Sequence, residues 1–168
     1  MTPLSGQVAP VVDPGPAGLC GRTVGYAPGV FDLFHVGHLN ILRRARLLCD
    51  HLIAGVVSDN VALQQKGRHP VVPEQERLEI VSSVRYVDET VLELTTDKIA
   101  TWRAVGFEVI FKGSDWQGSQ KWSRLEKEFS QLGVRVVYLP YTEHLSSSAL
   151  RDVVGMRGPT TGGGSLAL

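Results

Sequence analysis

At 168 residues, 43% hydrophobic and 20% charged, the chain has the size and composition of one globular domain with a real core, not of a disordered or multi-domain protein. Lys plus Arg (17) balances Asp plus Glu (17), so no global field draws the protein to nucleic acid or an anionic membrane, and any anionic ligand must be held by local groups. No apolar run approaches the roughly 20 residues of a membrane span, and the N-terminus lacks a basic region leading into an apolar stretch. Cys20 and Cys49 fall in unrelated settings, so a disulfide framework is not expected. The cytoplasm is the expected compartment.

Residues 1–21 carry Pro3, Pro10, Pro14, Pro16 and four glycines with little periodicity, which predicts a flexible leader. Residues 155–168, with Gly162-Gly-Gly164, read as a flexible tail, so the folded domain is expected over 22–154. Within it, short β-prone runs alternate with helical patterns. Thr23-Val-Gly-Tyr26 is followed by a helical stretch from Leu39 to Cys49, then Leu52-Ile-Ala-Gly-Val-Val57 and a helix from Glu74 to Val84. The alternation continues with Thr90-Val-Leu-Glu-Leu94, Asp97 to Val105, Phe107-Glu-Val-Ile-Phe111, Lys121 to Leu132 and Val134-Arg-Val-Val-Tyr138, before a last helix from about Ser147. Strands separated by helices of this length imply βαβ crossovers. The expected fold is therefore a single Rossmann-like α/β domain, with a mainly parallel five-stranded sheet flanked by helices.

In such sheets ligands sit beyond the carboxyl ends of the strands, and the residues with chemical potential do follow strands. His35-Val-Gly-His38 opens a helix directly after a strand and a glycine turn. Imidazoles three residues apart share one face of a first helical turn. A helix N-terminus offers free N–H groups and a positive dipole end, so a polyphosphate placed there meets backbone donors as well as both rings. Gly37 leaves room for close backbone approach. The same pair also suits zinc or plain helix capping; zinc needs further ligands, for which Cys20 and Cys49 lack a recognisable spacing while His51 and His69 stay open.

Taken whole, Gly29-Val-Phe-Asp-Leu-Phe-His-Val-Gly-His38 resembles the signature of the HxGH nucleotidyltransferase superfamily, and within it the cytidylyltransferase family with its Gly-Thr-Phe-Asp-x-x-His-x-Gly-His pattern. The resemblance covers nearly all of 22–154 and is nearest to glycerol-3-phosphate cytidylyltransferases. Arg85-Tyr-Val-Asp-Glu89, Lys112-Gly-Ser-Asp-Trp-Gln-Gly118, Val136-Val-Tyr-Leu-Pro140, Thr142-Glu143 and Ser146-Ser-Ser148 follow in the family's order.

The resemblance implies transfer of CMP from CTP to a small phosphorylated alcohol, glycerol 3-phosphate or similar, with release of pyrophosphate, Mg2+ accompanying the nucleotide, and a homodimer. It implies catalytic roles for His35, His38 and Lys66. Nucleotide binding would fall to Gly29, Val30, Phe31, Asp32, Gly37, Lys112, Gly113, Asp115, Trp116, Ser146, Ser147 and Ser148. Asp32, Lys66, Arg77 and Arg85 would bind the acceptor substrate, with Asp32 also shaping the magnesium environment. Trp116 could simply be a packing residue, the serine run a plain helix cap, and the loop from Gln64 to His69 an ordinary solvated one.

Two departures stand out. The family's Arg-Thr-Glu-Gly-Ile-Ser reads Tyr141-Thr-Glu-His-Leu-Ser146 here, removing an arginine expected on the triphosphate, and the Thr of Gly-Thr-Phe-Asp is Val30. A lost guanidinium forfeits a bidentate contact, for which His144, Arg151 or Lys112 are the candidate replacements. Lys112-Gly-Ser-Asp-Trp116 and the segment Gly67 to Arg77 also resemble the heptose-phosphate adenylyltransferase branch, so ATP with a sugar phosphate is the alternative, as is a non-catalytic nucleotide-binding module. No nucleic-acid partner is expected.

Overall fold

The structure, a computed structural model, describes residues 21–140, 142 and 150. Residues 1–20 of the expected leader, the tail, and the expected helix from Ser147 apart from Leu150, which is helical, lie outside these residues. Five strands, β1 (Val24–Gly29), β2 (His51–Val57), β3 (Glu89–Glu93), β4 (Val109–Gly113) and β5 (Arg135–Leu139), form one sheet in the order β3-β2-β1-β4-β5. Every pairing is parallel. The helices are α1 (Val36–Arg46), α2 (Asp59–Lys66), α3 (Glu74–Ser82), α4 (Lys98–Val105) and α5 (Gln120–Gln131).

The sheet is buried on both faces, as parallel sheets are. On one face Leu42 and Ala45 of α1 and Val81 of α3 pack on Ala27, Ala54, Val56, Val109 and Phe111. On the other, Trp122, Leu125 and Phe129 of α5 meet Tyr26, Ile53 and Ile110, with Ile99 and Trp102 of α4 alongside. The strands therefore read as nearly unbroken apolar runs, β2 having six consecutive buried residues.

Strand order reverses between β1 and β4. From β1 the chain moves outward through β2 and β3, then returns to β4 and β5 on the other side. The crevice where a ligand fits an open parallel sheet is thus beyond Gly29 and Gly113.

Element boundaries shift by one to three residues from the sequence expectation, and the shifts at β1, α1 and β4 bear on the site. β1 runs on through Pro28 to Gly29, although proline is poorly tolerated in central strands. It fits because the β1–β4 pairs are Gly25 with Val109 and Tyr26 with Ile110, so Pro28 lies beyond that ladder. The first helix begins at Val36 with His35 as its cap, as the expectation that His35-Val-Gly-His38 opens a helix has it, three residues before the apolar helical pattern from Leu39; β4 ends at Gly113, which places Lys112 inside the strand. Finally, Asp59–Lys66 is a helix, where the sequence pattern predicts a connection running into the polar loop from Gln64 to His69. Ser58 caps it by accepting from the Val61 N–H, and Gly67 ends it at φ 67°.

Candidate active site

The turn from β1 to α1 is strained. Phe31 and Leu33 hold φ of 54° and 47°, a left-handed conformation that costs non-glycine residues of order 1–3 kcal/mol and concentrates at functional sites. Gly29 is required here: a Cβ would sit 2.9 Å from the Phe31 ring. Asp32, 2% exposed, stitches this turn to the segment before α3. Its carboxylate accepts the N–H groups of Val71 at 3.0 Å and Val72 at 2.9 Å.

His35 is the N-cap of α1. Its Nδ1 accepts the Gly37 N–H at 3.0 Å, while His38 Nδ1 accepts the His35 N–H at 3.4 Å, and the two rings stack 4.0 Å apart. The capping alternative is therefore real, and it has a chemical consequence. An Nδ1 that accepts leaves the proton of a neutral imidazole on Nε2. Burial lowers the pKa of His35; burial first, then the repulsion the two rings would have if both were charged and the nearby Lys66 ammonium, lowers that of His38 to about 3, with Asp32 opposing. Both rings are neutral at physiological pH, with Nε2–H as the donor. Each ring therefore offers a hydrogen-bond donor, not a cation, at the start of α1.

Lys66 ends α2, and Lys112 lies on β4 with its ammonium 4.8 Å from the Trp116 ring centroid and 5.7 Å from that of Trp122. Burial first, then the nearby Lys98 ammonium, lowers the Lys112 pKa to about 8, with Glu93 and Asp115 opposing. A cavity of about 110 Å³ brings together Gly29, Val30, Lys66, Lys98, Lys112 and Trp116, with Lys121 and Trp122 also on its wall. Beyond Lys98 and Lys121 it adjoins an open groove of about 890 Å³ between the start of α4 and α5. The cations of the cavity favour an anion and its aromatic rings a flat or apolar group.

The structure gathers Gly29, Val30, Lys66, Lys112 and Trp116 on one cavity, with Gly113 and Asp115 in the adjoining β4 turn and Phe31, Asp32, His35, Gly37 and His38 in the β1–α1 turn. It does not bring two expected substrate residues to that cavity. The Arg77 side chain is fully buried, with Nε on Val72 O at 2.8 Å, Nη1 on Val30 O at 2.5 Å and Val57 O at 2.8 Å, and Nη2 on Asp59 at 2.6 Å. Its guanidinium clamps the loops after β1 and β2 instead of facing a ligand. Arg85 is exposed beside Tyr86 just before β3, at the end of the parallel sheet opposite the crevice.

Ser146, Ser147, Ser148, His144 and Arg151 lie outside the described residues. The approach to them is visible: Arg44 of α1 donates to Pro140 O at 2.7 Å, and Asn40 donates to Thr142 Oγ1 at 3.2 Å. The chain leaving β5 is thus tied to α1. Among the described residues no group of three or more His, Cys, Asp or Glu stands where it could hold a metal ion, and Asp32 has both oxygens on backbone N–H groups. Nor is any described helix long and apolar enough to cross a membrane.

Sequence reading missed Lys98 and Trp122. Both were visible only as helix residues: Asp97 caps α4 ahead of Lys98, and Ser119 caps α5 ahead of Trp122. An Asp-Lys or Ser-x-x-Trp pair of this kind signals a helix start, and the topology alone reveals that both starts border one cavity.

Paired histidines at the start of the first helix of a doubly wound sheet, with lysines at the ends of α2 and β4 on the same side of that sheet, define the class: an HxGH-type nucleotidyltransferase. The chain belongs to the cytidylyltransferase-like family, whose model matches residues 26–153. It is 37% identical over 128 residues to an FAD synthase of Methanothrix thermoacetophila, spanning 76% of this chain and 88% of that protein. A probable ethanolamine-phosphate cytidylyltransferase of Encephalitozoon cuniculi is 41% identical over 91 residues, 54% of this chain and 28% of the relative. Among solved structures, a lipopolysaccharide core biosynthesis protein of Thermoplasma volcanium aligns with a TM-score of 0.63 and 29% identity, over 74% of this chain and all of the other. A pantothenate synthetase of Thermus thermophilus, at 16% identity and a TM-score of 0.55 over 80% of this chain and 71% of that one, shares the fold.

Proposed function

We propose that the protein transfers CMP from CTP to a small phosphorylated alcohol, with glycerol 3-phosphate or a similar polyol phosphate as acceptor. The observation that carries nucleotidyl transfer onto a phosphate is the arrangement of neutral His35 and His38 at the N-terminus of α1, close to a cavity walled by Lys66, Lys98 and Lys112. An acceptor phosphate oxygen attacks the α-phosphorus as the bond to the β-phosphate oxygen breaks, and pyrophosphate leaves with that electron pair. The nucleophile is already ionised, so no strong general base is required; alignment and charge stabilisation carry the reaction.

In this reading His35 and His38 donate through Nε2–H to triphosphate oxygens, where the α1 dipole adds positive potential. Lys66 and Lys112 draw the two anionic reactants together, and Trp116 walls the nucleoside. Asp32 and Arg77 hold the turns that carry these groups. A Mg2+ ion accompanying the nucleotide would supply positive charge to the phosphates, while the groups of this chain that act there are His35, His38, Lys66 and Lys112. A homodimer in the cytoplasm completes the proposal.

A second reading is adenylyl transfer from ATP to a larger phosphate. The groove of about 890 Å³ beyond Lys98 and Lys121 has room for more than glycerol, and the FAD synthase relatives are named for a product that contains an adenylyl group. Pyrophosphate release measured with CTP and with ATP against glycerol 3-phosphate, phosphoethanolamine, sugar phosphates and flavin mononucleotide separates the readings. CTP with a small polyol phosphate is the pair expected to turn over fastest. Preference for ATP with a larger acceptor selects the second reading, and nucleotide binding without pyrophosphate release from any pair excludes both.

A further inference from the structure

Behind the cavity lies a buried polar chain that the mechanism above does not use. Glu93, the last residue of β3, is 2% exposed, and its carboxylate accepts the Tyr26 O–H at 2.7 Å and pairs with the Lys98 ammonium. Tyr26 is on β1 and Glu93 is two strands away, so the phenol must cross β2. It does so over Gly55, where a Cβ would come within 2.0 Å of the hydroxyl oxygen. Burial and the Glu93 charge raise the Tyr26 pKa, so the hydroxyl keeps its proton and donates. The ring meanwhile stacks on Phe107 at 4.8 Å.

Three features indicate a role beyond packing. A buried ion pair with a tyrosine attached is a poor route to stability, because apolar residues of similar volume would serve as well or better. The pair also lies at the boundary with the site: Lys98 lines both the small cavity and the groove. An ammonium has three N–H donors, more than Glu93 alone uses. Finally, Lys98 and Lys112 repel each other across the cavity while Glu93 offsets that repulsion, so the carboxylate allows two cations to face one small space.

We propose that Tyr26 and Glu93 are positioning residues for acceptor binding: they fix the Lys98 ammonium on the wall shared by the cavity and the groove, where it meets the acceptor's phosphate. This rests on the nucleotidyl-transfer reading. Tyr26 orients the carboxylate, the carboxylate orients Lys98, and Gly55 provides the passage.

The variants Tyr26→Phe and Glu93→Gln test it. Tyr26→Phe keeps the ring and its stacking and removes one hydrogen bond. It should raise the KM for the acceptor roughly fivefold, the equivalent of one hydrogen bond of ordinary strength, with kcat and the KM for nucleotide unchanged. Glu93→Gln removes the charge that supports protonated Lys112 and should move the alkaline limb of kcat/KM for the acceptor to lower pH. If both variants keep the wild-type acceptor KM and alkaline limb and lose only melting temperature, the role is structural and the proposal is overturned; if Glu93→Gln does not fold, the acceptor KM of Tyr26→Phe alone decides. Should the wild-type protein release no pyrophosphate with any acceptor, the transfer reading fails by itself. Positioning of Lys98 is then judged by titrating inorganic phosphate against the fluorescence of Trp116 and Trp122: weaker binding in Tyr26→Phe supports it, and equal binding overturns it.

Discussion

The two ends of the sheet are both rich in charge, and they use it in opposite ways. At the end where the strands begin, charged groups close on each other and on the backbone. Asp50, Glu108 and Asp88 accept the N–H groups of Thr23, Val24 and Leu52 at 2.7–2.8 Å. Arg46 pairs with Asp88 at 3.3 Å, and His51 lies between Asp88 and Glu89. Where the strands end, Lys66, Lys98, Lys112 and Lys121 instead surround a cavity, and two imidazoles held neutral by burial stand at a helix start. At one end the charges bond to backbone and to each other at the sheet's edge; at the other, four lysines line one cavity, Lys98 being held there by Glu93. Charge density alone therefore does not distinguish the two ends, whereas the cavity does.

Arg77 crosses this division, because it stands at the ligand end but is used as structure. Arg77→Met should show the largest effect on folding. It breaks the ion pair with Asp59 and strips hydrogen bonds from the carbonyls of Val30, Val57 and Val72, a loss on the order of 3–5 kcal/mol read by chemical denaturation. A variant of near-native stability with a raised acceptor KM would return Arg77 to substrate binding.

The pH profile sharpens the contrast next. Lys112, lowered to about 8, is charged below that pH and loses its proton above it. The kcat/KM for the acceptor should therefore fall by about tenfold per pH unit above the limb. Because an anion favours the charged lysine, the limb in kcat should lie at higher pH. Burial holds His35 and His38 below their ordinary range, so activity should not fall as pH rises through 6.5; a loss of kcat on that alkaline side would mean that an imidazole acts as a cation.

Arg46→Ala, at the other end, should have the smallest effect. The Arg46–Asp88 pair is about one-third exposed on each side, and such pairs contribute about 0–1 kcal/mol. Pyrophosphate release should match the wild type. A large loss of activity would mean that the strand-start end takes part in function.

Much of this contrast is legible in the sequence, for reasons that differ by segment. The β1–α1 turn is local: Gly29, Asp32, His35 and His38 are close in the chain, and their spacing carries the geometry. The alternation of strands and helices is likewise written in short apolar runs. α2 was not legible because Ser58-Asp-Asn60 has turn chemistry and its helix buries only Val61 and Ala62. The fate of Arg77 was hidden because nothing local says that carbonyls of residues 30, 57 and 72 converge on it. The distance of Arg85 from the cavity was hidden because α3 carries the chain from one end of the sheet to the other between residues 74 and 85. The Tyr26–Glu93–Lys98 chain spans three sheet positions, so it exists only once strand order is known.

The central claim is that neutral imidazoles at the start of α1 stabilise phosphate charge during nucleotidyl transfer, and the most direct measurement is the turnover of His38→Ala at saturating nucleotide and acceptor, beside its melting curve. The expected result is a kcat lowered about 10²–10³-fold with a melting temperature close to the wild-type value. Near-normal turnover in a folded His38→Ala would contradict it.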